Sequence, residues 1–108
     1  MHNLVYCIGR LVDTPVLENI EGKEICKLVL AVQRPYKNED GIYETDFIDL
    51  VLNNSIAKHT TEYCKKGDLV GIKGMLQTKN IYNEDNTIAK KIVEVVVEKI
   101  SFLASKGE

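Results

Sequence analysis

The sequence has few of the residues on which several classes of protein depend. Its 108 residues include no tryptophan, two prolines and three cysteines. Cys7, Cys26 and Cys64 are odd in number and form no CxxC pair, which argues against a disulfide framework, a metal site and a redox motif. The chain also lacks an apolar run of the roughly 18–20 residues that a membrane span needs, and it lacks the pattern of a secretion signal. We therefore expect a soluble cytoplasmic domain with reduced, buried thiols and no membrane contact.

The balance of charge is close to neutral. Lys and Arg number 14 against 16 Asp and Glu, which gives a net charge of -2 and a pI near 5.7. This balance argues against a strongly basic nucleic-acid binder but is compatible with a locally basic groove. An apolar share of 44% suffices for one modest hydrophobic core, and a chain of this length is typical of a single domain.

Five segments are predicted to be β-strands because apolar and polar residues alternate along them. In chain order they are residues 3–12, 24–33, 44–53, 68–77 and 88–103. Polar turn sequences separate the second strand from the third and the fourth from the fifth. The alternation changes phase within the last segment, which predicts a β-bulge near Glu98 and Lys99.

One short helix is predicted over residues 54–66. Asn54 or Ser55 can cap its start, Lys65 and Lys66 suit the negative end of its dipole, and Gly67 can end it. Three strands, a helix and two strands are the element order of the OB-fold, a five-stranded Greek-key barrel. We therefore predict an all-β OB-fold over residues 1–104, with the helix between the third and fourth strands. Residues 105–108 are predicted to be a short C-terminal remnant.

Several motifs stand in order along the chain with regular spacing. They include Ile8-Gly9-Arg10-Leu11, Leu30-Ala31-Val32-x-Arg34, Glu44-Thr45-Asp46-Phe47-Ile48 and Lys65-Lys66-Gly67-Asp68-Leu69-Val70. Together they resemble the bacterial single-stranded DNA-binding protein family, almost from end to end. The resemblance implies sequence-independent binding and protection of single-stranded DNA in replication, recombination or repair, near the nucleoid and without a cofactor. It also implies a homo-oligomer built by pairing of the first strand with its copy, with a tetramer expected and a dimer as second choice.

Aromatic faces for base stacking and cations for phosphate contacts are what single-strand binding requires. In the family pattern, stacking aromatics stand at the positions of Tyr36 and Phe47, and Tyr82 can replace an aromatic missing at Ile81. Phe47 is expected to be exposed because it shares its strand face with polar residues. Tyr43 and Tyr63 are instead expected to pack.

Two arginines are the strongest candidates for contacts with phosphates, because a planar guanidinium can fork onto phosphate or stack on a base. Lysines are more often solvated surface charges, and among them Lys73 and Lys79 are selected, with Lys27, Lys37, Lys90 and Lys91 as further candidates. The predicted nucleic-acid-binding residues are Arg10, Arg34, Tyr36, Phe47, Lys73, Lys79 and Tyr82.

The sequence also departs from the family pattern. Asn53 and Ile81 stand where stacking aromatics are usual, and Asp49 stands where a basic residue is common. The chain ends without the acidic, Phe-ending tail of the family, either because the sequence is truncated or because it is a tailless member, so partners recruited through that tail are not predicted. We therefore expect weak single-strand binding that falls steeply with salt.

Two other functions compete with this interpretation. An enzyme is not expected, because His2 and His59 lie in no recognised catalytic or zinc motif. A tailless OB-fold accessory module, similar to the primosomal replication protein of the B type and acting mainly through protein contacts, is the alternative.

Overall fold

Six β-strands and one α-helix make up residues 1–106, the part of the chain that the computed structural model describes. The strands are β1 (Val5–Leu11), β2 (Glu18–Ile20), β3 (Lys23–Lys37), β4 (Tyr43–Asn53), β5 (Leu69–Tyr82) and β6 (Ile88–Ala104). The helix α1 (Asn54–Tyr63) follows β4 directly. Within these residues no helix has both the length and the apolar character to cross a membrane.

The sheet closes on itself to form a barrel. Its strands lie in the order β1-β5-β6-β4-β3, with the short β2 added outside β3. β1 also pairs with β3, at Arg10 with Ala31 and at Leu11 with Leu30, and this pairing closes the ring of five long strands. All pairs are antiparallel except the short contact of β4 with β6. The predicted all-β OB-fold is confirmed.

The core forms because apolar residues recur at every second position of the strands and so point to one side of the sheet. Leu28 and Leu30 of β3 are buried in this way, as are Leu50 and Leu52 of β4. Full burial of such a side chain contributes about 1.5–3 kcal/mol. The other buried apolar residues are Leu11, Cys26, Ala57, Val70, Ile72, Val95 and Val97.

Two glycines allow strands to cross closely as the barrel closes. A Cβ atom on Gly9 would collide with the carbonyl oxygen of Ala31, and one on Gly74 with that of Val96. Backbone atoms have little room to move, so any larger residue would push neighbouring strands apart.

The strand boundaries differ from the prediction in an informative way. β2 was not predicted, because its three residues are all exposed and carry no burial pattern. β3 continues to Lys37 and β5 to Tyr82, beyond the predicted ends at residues 33 and 77. Backbone hydrogen bonds between strands do not require a hydrophobic core beneath them. Both hairpins therefore extend past the region where apolar and polar residues alternate. The bulge expected near Glu98 is confirmed, since Lys73 pairs with Lys99 and Gly74 pairs with Val97.

The predicted helix end is wrong by three residues. α1 stops at Tyr63, and Cys64 takes an extended conformation while its N–H donates to the carbonyl of Thr60. Gly67 has a φ of 89° but serves the following turn, where its N–H donates to the carbonyl of Leu11. Lys65 and Lys66 therefore lie beyond the helix rather than in its last turn.

Other details of the prediction also change. Asn53 is the N-cap residue of α1, and within the described part of the chain its side chain makes no capping hydrogen bond. Tyr43 and Tyr63 are exposed rather than packed, because Tyr43 begins β4 near the hairpin tip and Tyr63 lies on the exposed side of α1 with His59 and Glu62. The predicted C-terminal remnant, 105–108, ends at residues 107 and 108, which lie outside the described part of the chain.

Candidate nucleic-acid interface

A row of three side chains crosses the outside of the barrel where β1, β3 and β4 lie side by side. Arg10 pairs with Ala31, and Ala31 pairs with Phe47. Opposed residues in adjacent strands project from the same face of a sheet. Two strand spacings separate the ends of the row, so the backbones of Arg10 and Phe47 lie about 10 Å apart. We call these three residues the Phe47 row.

The Phe47 ring is available to a ligand. Its residue is 66% exposed, which confirms the prediction from its strand parity. Ala31, between the ring and Arg10, carries a side chain too short to fill the space. An open groove of about 410 Å³ adjoins the Arg10 end of the row. It is lined by Ile8, Gly9, Arg10, Ala31, Gln33, Thr45 and Leu69.

Arg10 is held at the wall of this groove by one hydrogen bond. Its Nη1 donates to the carbonyl oxygen of Gly67 at 2.9 Å. A guanidinium carries five N–H donors, and no further hydrogen bond from Arg10 is formed within residues 1–106. Most of its donors therefore remain free for an anionic ligand.

A second groove, of about 250 Å³, lies further along β3 and β4. Lys27 and Lys79 are among its lining residues, so the β5–β6 hairpin brings Lys79 to the same outer surface as Phe47. Three acidic residues, Asp13, Asp49 and Glu94, line it as well. The cations of this groove are thus outnumbered, and its net charge does not favour a polyanion.

Arg34 is engaged within the protein. Its Nε and Nη2 donate to the two carboxylate oxygens of Asp46 at 3.0 and 2.9 Å, and its Nη1 donates to Glu44 at 2.7 Å. Hydrogen bonding from Arg34 to Asp46 is the main reason that the pKa of Arg34 is raised, and it lowers the pKa of Asp46. Glu44 and Asp46 alternate with Thr45 and Phe47 along β4, so this cluster lies on the other face of the strand.

Tyr36 lies near the tip of the β3–β4 hairpin. Its residue is 61% exposed, so its ring is accessible as predicted. The amine of the next residue, Lys37, lies 5.6 Å from the centre of the ring of Tyr43 on the neighbouring strand β4. The hairpin tip therefore offers aromatic surface and a cation at some distance along the chain from Phe47.

Tyr82 occupies the far end of the β5–β6 hairpin. From Gln77 to Lys91 every side chain except Asn80 is exposed, so this part of the hairpin, which we call the arm, projects beyond the barrel. The arm ends in a turn where the N–H of Asn83 donates to the carbonyl of Thr87. Lys79 and Tyr82 thus lie on the same arm. Of these two residues, Lys79 lines the groove beside β4 and Tyr82 does not.

Lys73 belongs to a different surface. It pairs with Tyr6 of β1 and with Lys99 of β6, while Ile8 pairs with Gly71 two residues away. Tyr6 and Ile8 are exposed, so this β1–β5 face is largely apolar. The structure thus brings Arg10, Phe47 and Lys79 to one outer surface and leaves Arg34, Tyr36, Lys73 and Tyr82 elsewhere.

Sequence reasoning missed three residues of this arrangement. Ala31 is the gap in the Phe47 row, and Glu44 and Asp46 are the partners of Arg34. The available signal was hairpin register, which sets Ala31 opposite Phe47 and brings the two carboxylates to one strand face.

Within residues 1–106 no three His, Cys, Asp or Glu side chains are placed to hold a metal ion. Burial raises the pKa of the thiols of Cys7, Cys26 and Cys64.

Comparison with known proteins gives consistent matches over nearly the whole chain. A family model described as the single-strand binding protein family matches residues 2–103. The chain is 37% identical over 108 residues to Single-stranded DNA-binding protein 1 of Clostridium acetobutylicum, covering 98% of this chain and 97% of that relative. It is 35% identical over 107 residues to Single-stranded DNA-binding protein B of Bacillus subtilis, covering 98% and 94%. A relative from Oceanobacillus iheyensis, named Single-stranded DNA-binding protein, is 36% identical over 108 residues, but the chain spans 66% of its length.

Proposed function

Because the chain belongs to the single-strand binding protein family, we propose that it binds single-stranded DNA without regard to base sequence. The observation that carries the proposal is the Phe47 row, where an exposed ring and a largely free guanidinium share one outer surface. A base stacked on an aromatic ring gains about 1–3 kcal/mol whatever its identity, because every base has a π-face. The names of the relatives support the same substrate.

In the proposed complex a base stacks on Phe47 while Arg10 binds the neighbouring phosphate. Ala31 leaves room for the sugar between them. Lys27 and Lys79 line the next groove and contact the backbone as it continues along β3 and β4. Tyr36 at the hairpin tip and Tyr82 on the arm provide further stacking surfaces, whereas Lys73, on the β1–β5 face, lies away from this path.

The carboxylates beside the row set the strength of binding. Asp49 and Glu94 repel phosphates in the groove where Lys27 and Lys79 attract them. We therefore propose modest affinity that falls steeply with salt, since each phosphate contact releases counterions. The proposed role is protection of exposed single strands in replication, recombination or repair at the nucleoid, by binding and without catalysis. The protein-docking alternative of the primosomal type is not favoured by the relatives that match.

The proposal includes self-association through β1. From Val5 to Gly9 this strand pairs with β5 along one edge, whereas β3 reaches its other edge only at Arg10 and Leu11. An open strand edge offers backbone N–H and C=O groups to another strand. Next to this edge, the exposed apolar side chains of Tyr6 and Ile8 suit burial against a second copy. We propose a dimer formed at β1, with pairing of dimers into a tetramer.

The direct test is fluorescence anisotropy of labelled dT oligomers of several lengths at low and high salt. We expect binding at low salt that weakens as salt rises. Phe47→Ala and Tyr36→Ala should each weaken it, whereas Tyr63→Ala, which removes an exposed ring from α1, should have no effect. Absence of binding by the unmodified chain at low salt would refute the proposed function.

A further inference from the structure

The β3–β4 hairpin contains an irregular segment just before its tip. Gln33 pairs with Thr45, and the next pair is Lys37 with Tyr43. Three residues of β3, Arg34 to Tyr36, therefore stand opposite the single residue Glu44. Two of them lack a place in the ladder, and Pro35 has no N–H to donate. The backbone that carries Tyr36 is thus held by something other than strand pairing.

Arg34 supplies a contact across this irregular segment. It lies on the bulged strand, and both of its carboxylate partners lie on the opposite strand. The pair with Asp46 is bidentate, a geometry that fixes the orientation of the guanidinium as well as its position. Three of the five guanidinium donors are used by Glu44 and Asp46, and we call these three residues the Arg34 clamp.

The clamp makes Arg34 poorly suited to bind phosphate itself. Two carboxylates surround one guanidinium, so the cluster carries a net charge of about -1 at neutral pH. A phosphate would have to displace a carboxylate that already holds the guanidinium by two hydrogen bonds. The clamp also lies on the face of β4 opposite to Phe47, away from Arg10. Tyr36, in contrast, lies close enough to Arg34 to contribute to its raised pKa, after Asp46 and Glu44.

We propose that Arg34 is a positioning residue: by holding Glu44 and Asp46 across the bulge, it fixes the Pro35–Tyr36 segment so that the Tyr36 ring is ready to stack on a base. This inference rests on the proposed function, since it assigns a task to a residue of that site. It replaces the expectation that Arg34 touches the DNA. Under this proposal Glu44 and Asp46 favour the binding of DNA, although both are acidic and DNA is a polyanion.

The decisive variant is Asp46→Asn, because charge and positioning predict opposite effects. Removing a carboxylate close to bound DNA should raise affinity on electrostatic grounds alone. If Asp46 orders Tyr36 through Arg34, its loss should instead lower affinity about 3-fold or more, as part of a stacking contribution disappears. Asp49→Asn is the matched control, with the same change of charge on the same strand at a residue whose side chain makes no hydrogen bond within residues 1–106. It should raise affinity about 2-fold.

Two further measurements separate the possible causes. In a Tyr36→Ala background, Asp46→Asn should have no further unfavourable effect, because the ring that the clamp positions is already gone. In the free protein, amide exchange of Tyr36 and Lys37 should become about 10-fold faster in Asp46→Asn and stay unchanged in Asp49→Asn. Thermal unfolding of each variant establishes that it is folded at the temperature of the binding assay.

The outcomes distinguish this inference from the proposed function. If the unmodified chain binds dT oligomers and Asp46→Asn raises affinity as Asp49→Asn does, the positioning role is overturned and the binding function stands. The role is also overturned if Asp46→Asn lowers affinity equally with and without Tyr36, because the clamp would then act elsewhere. If the unmodified chain binds no oligomer, the proposed function fails and this inference fails with it.

Discussion

The Phe47 row and the β1–β5 face are both exposed on the outside of one barrel, yet they offer different chemistry. The row places a ring beside a guanidinium, among carboxylates and amines of the neighbouring groove. The β1–β5 face offers Tyr6 and Ile8 next to an open strand edge. A ring beside a cation suits a nucleotide, whereas an apolar face beside an open edge suits a second copy of the chain.

Exposed apolar side chains are therefore not interchangeable. The surroundings of such a side chain decide which partner it suits. Solvated charges surround the Phe47 row, whereas unpaired backbone groups lie beside the β1–β5 face. If the assignment is correct, each surface can be damaged without harm to the other. The variants below test that independence.

Damage to the β1–β5 face should have the largest effect. In Ile8→Glu, self-association would bury a carboxylate without a partner, at a cost of about 3 kcal/mol or more. We expect dimerisation at least about 100-fold weaker, seen by sedimentation equilibrium as a lower mass. Because Ile8 also lines the groove beside Arg10, DNA binding is compared in Tyr6→Ala, which lies outside that groove: its mass should fall, and its binding of short dT oligomers per protomer should persist.

The control for this variant is Val16→Glu. Val16 is also an exposed apolar residue but lies between β1 and β2, away from the open edge of β1. The mass of the Val16→Glu variant in sedimentation equilibrium should equal that of the unmodified chain. An unchanged mass for Ile8→Glu, with the unmodified chain oligomeric, would contradict the assignment of this face.

Damage to the Phe47 row should have the opposite pattern, with weaker DNA binding and unchanged self-association. Phe47→Ala removes one stacking surface worth about 1–3 kcal/mol, so the dissociation constant for dT oligomers should rise about 5- to 150-fold. Sedimentation should show an unchanged mass. Tyr63→Ala serves as the control, and equal losses in both variants would mean that Phe47 has no special place in binding.

A smaller effect is expected from the carboxylates beside the row. Asp49→Lys replaces a repulsive group by an attractive one in the groove that Lys27 and Lys79 line. One added phosphate contact should steepen the slope of log affinity against log salt by about 0.7. Glu62→Lys, on α1, makes the same change of charge elsewhere, and its slope should stay at the original value. A similar change in both variants would show that net charge alone is responsible.

The smallest effect concerns pH and the Arg34 clamp. The pKa of Asp46 is lowered in the folded protein, chiefly by its hydrogen bond from Arg34. Its stabilising contribution is therefore complete above the unfolded-state value of about 3.9 and is lost as pH falls through the folded-state value. After correction for intrinsic exchange, protection of the Tyr36 amide should stay constant from neutral pH to about pH 4 and decline at lower pH. Asp46→Asn should show no such decline, and a decline shared by both proteins would rule out Asp46 as its cause.

Much of the fold could be predicted from the sequence because burial leaves a pattern. In β3 and β4, Leu28, Leu30, Leu50 and Leu52 recur at every second position and point to one core. The phase change in β6 likewise predicted the bulge at Glu98. The arm and β2 were missed or shortened because they are exposed on both faces, where no alternation is required.

Candidate residues of the site could be selected one by one from the sequence, but their arrangement could not. The exposure of Phe47 followed from strand parity, and Arg10 and Lys79 were selected as cations from their chemistry. The engagement of Arg34 could not be read from composition, because it depends on the register that brings Glu44 and Asp46 to its side of the hairpin. A cation in a sequence is a candidate for any anion, and the nearest anion here belongs to the protein.

The sequence by itself determined the alternating strands, the helix after the third long strand and the exposure of Phe47, since each depends on neighbours close along the chain. Only the tertiary structure decided that Arg10, Ala31 and Phe47 form one row, that Arg34 faces two carboxylates and that β1 keeps an open edge. These features arise where strands distant in sequence meet at barrel closure, and pairing register, rather than local pattern, sets which side chains become neighbours.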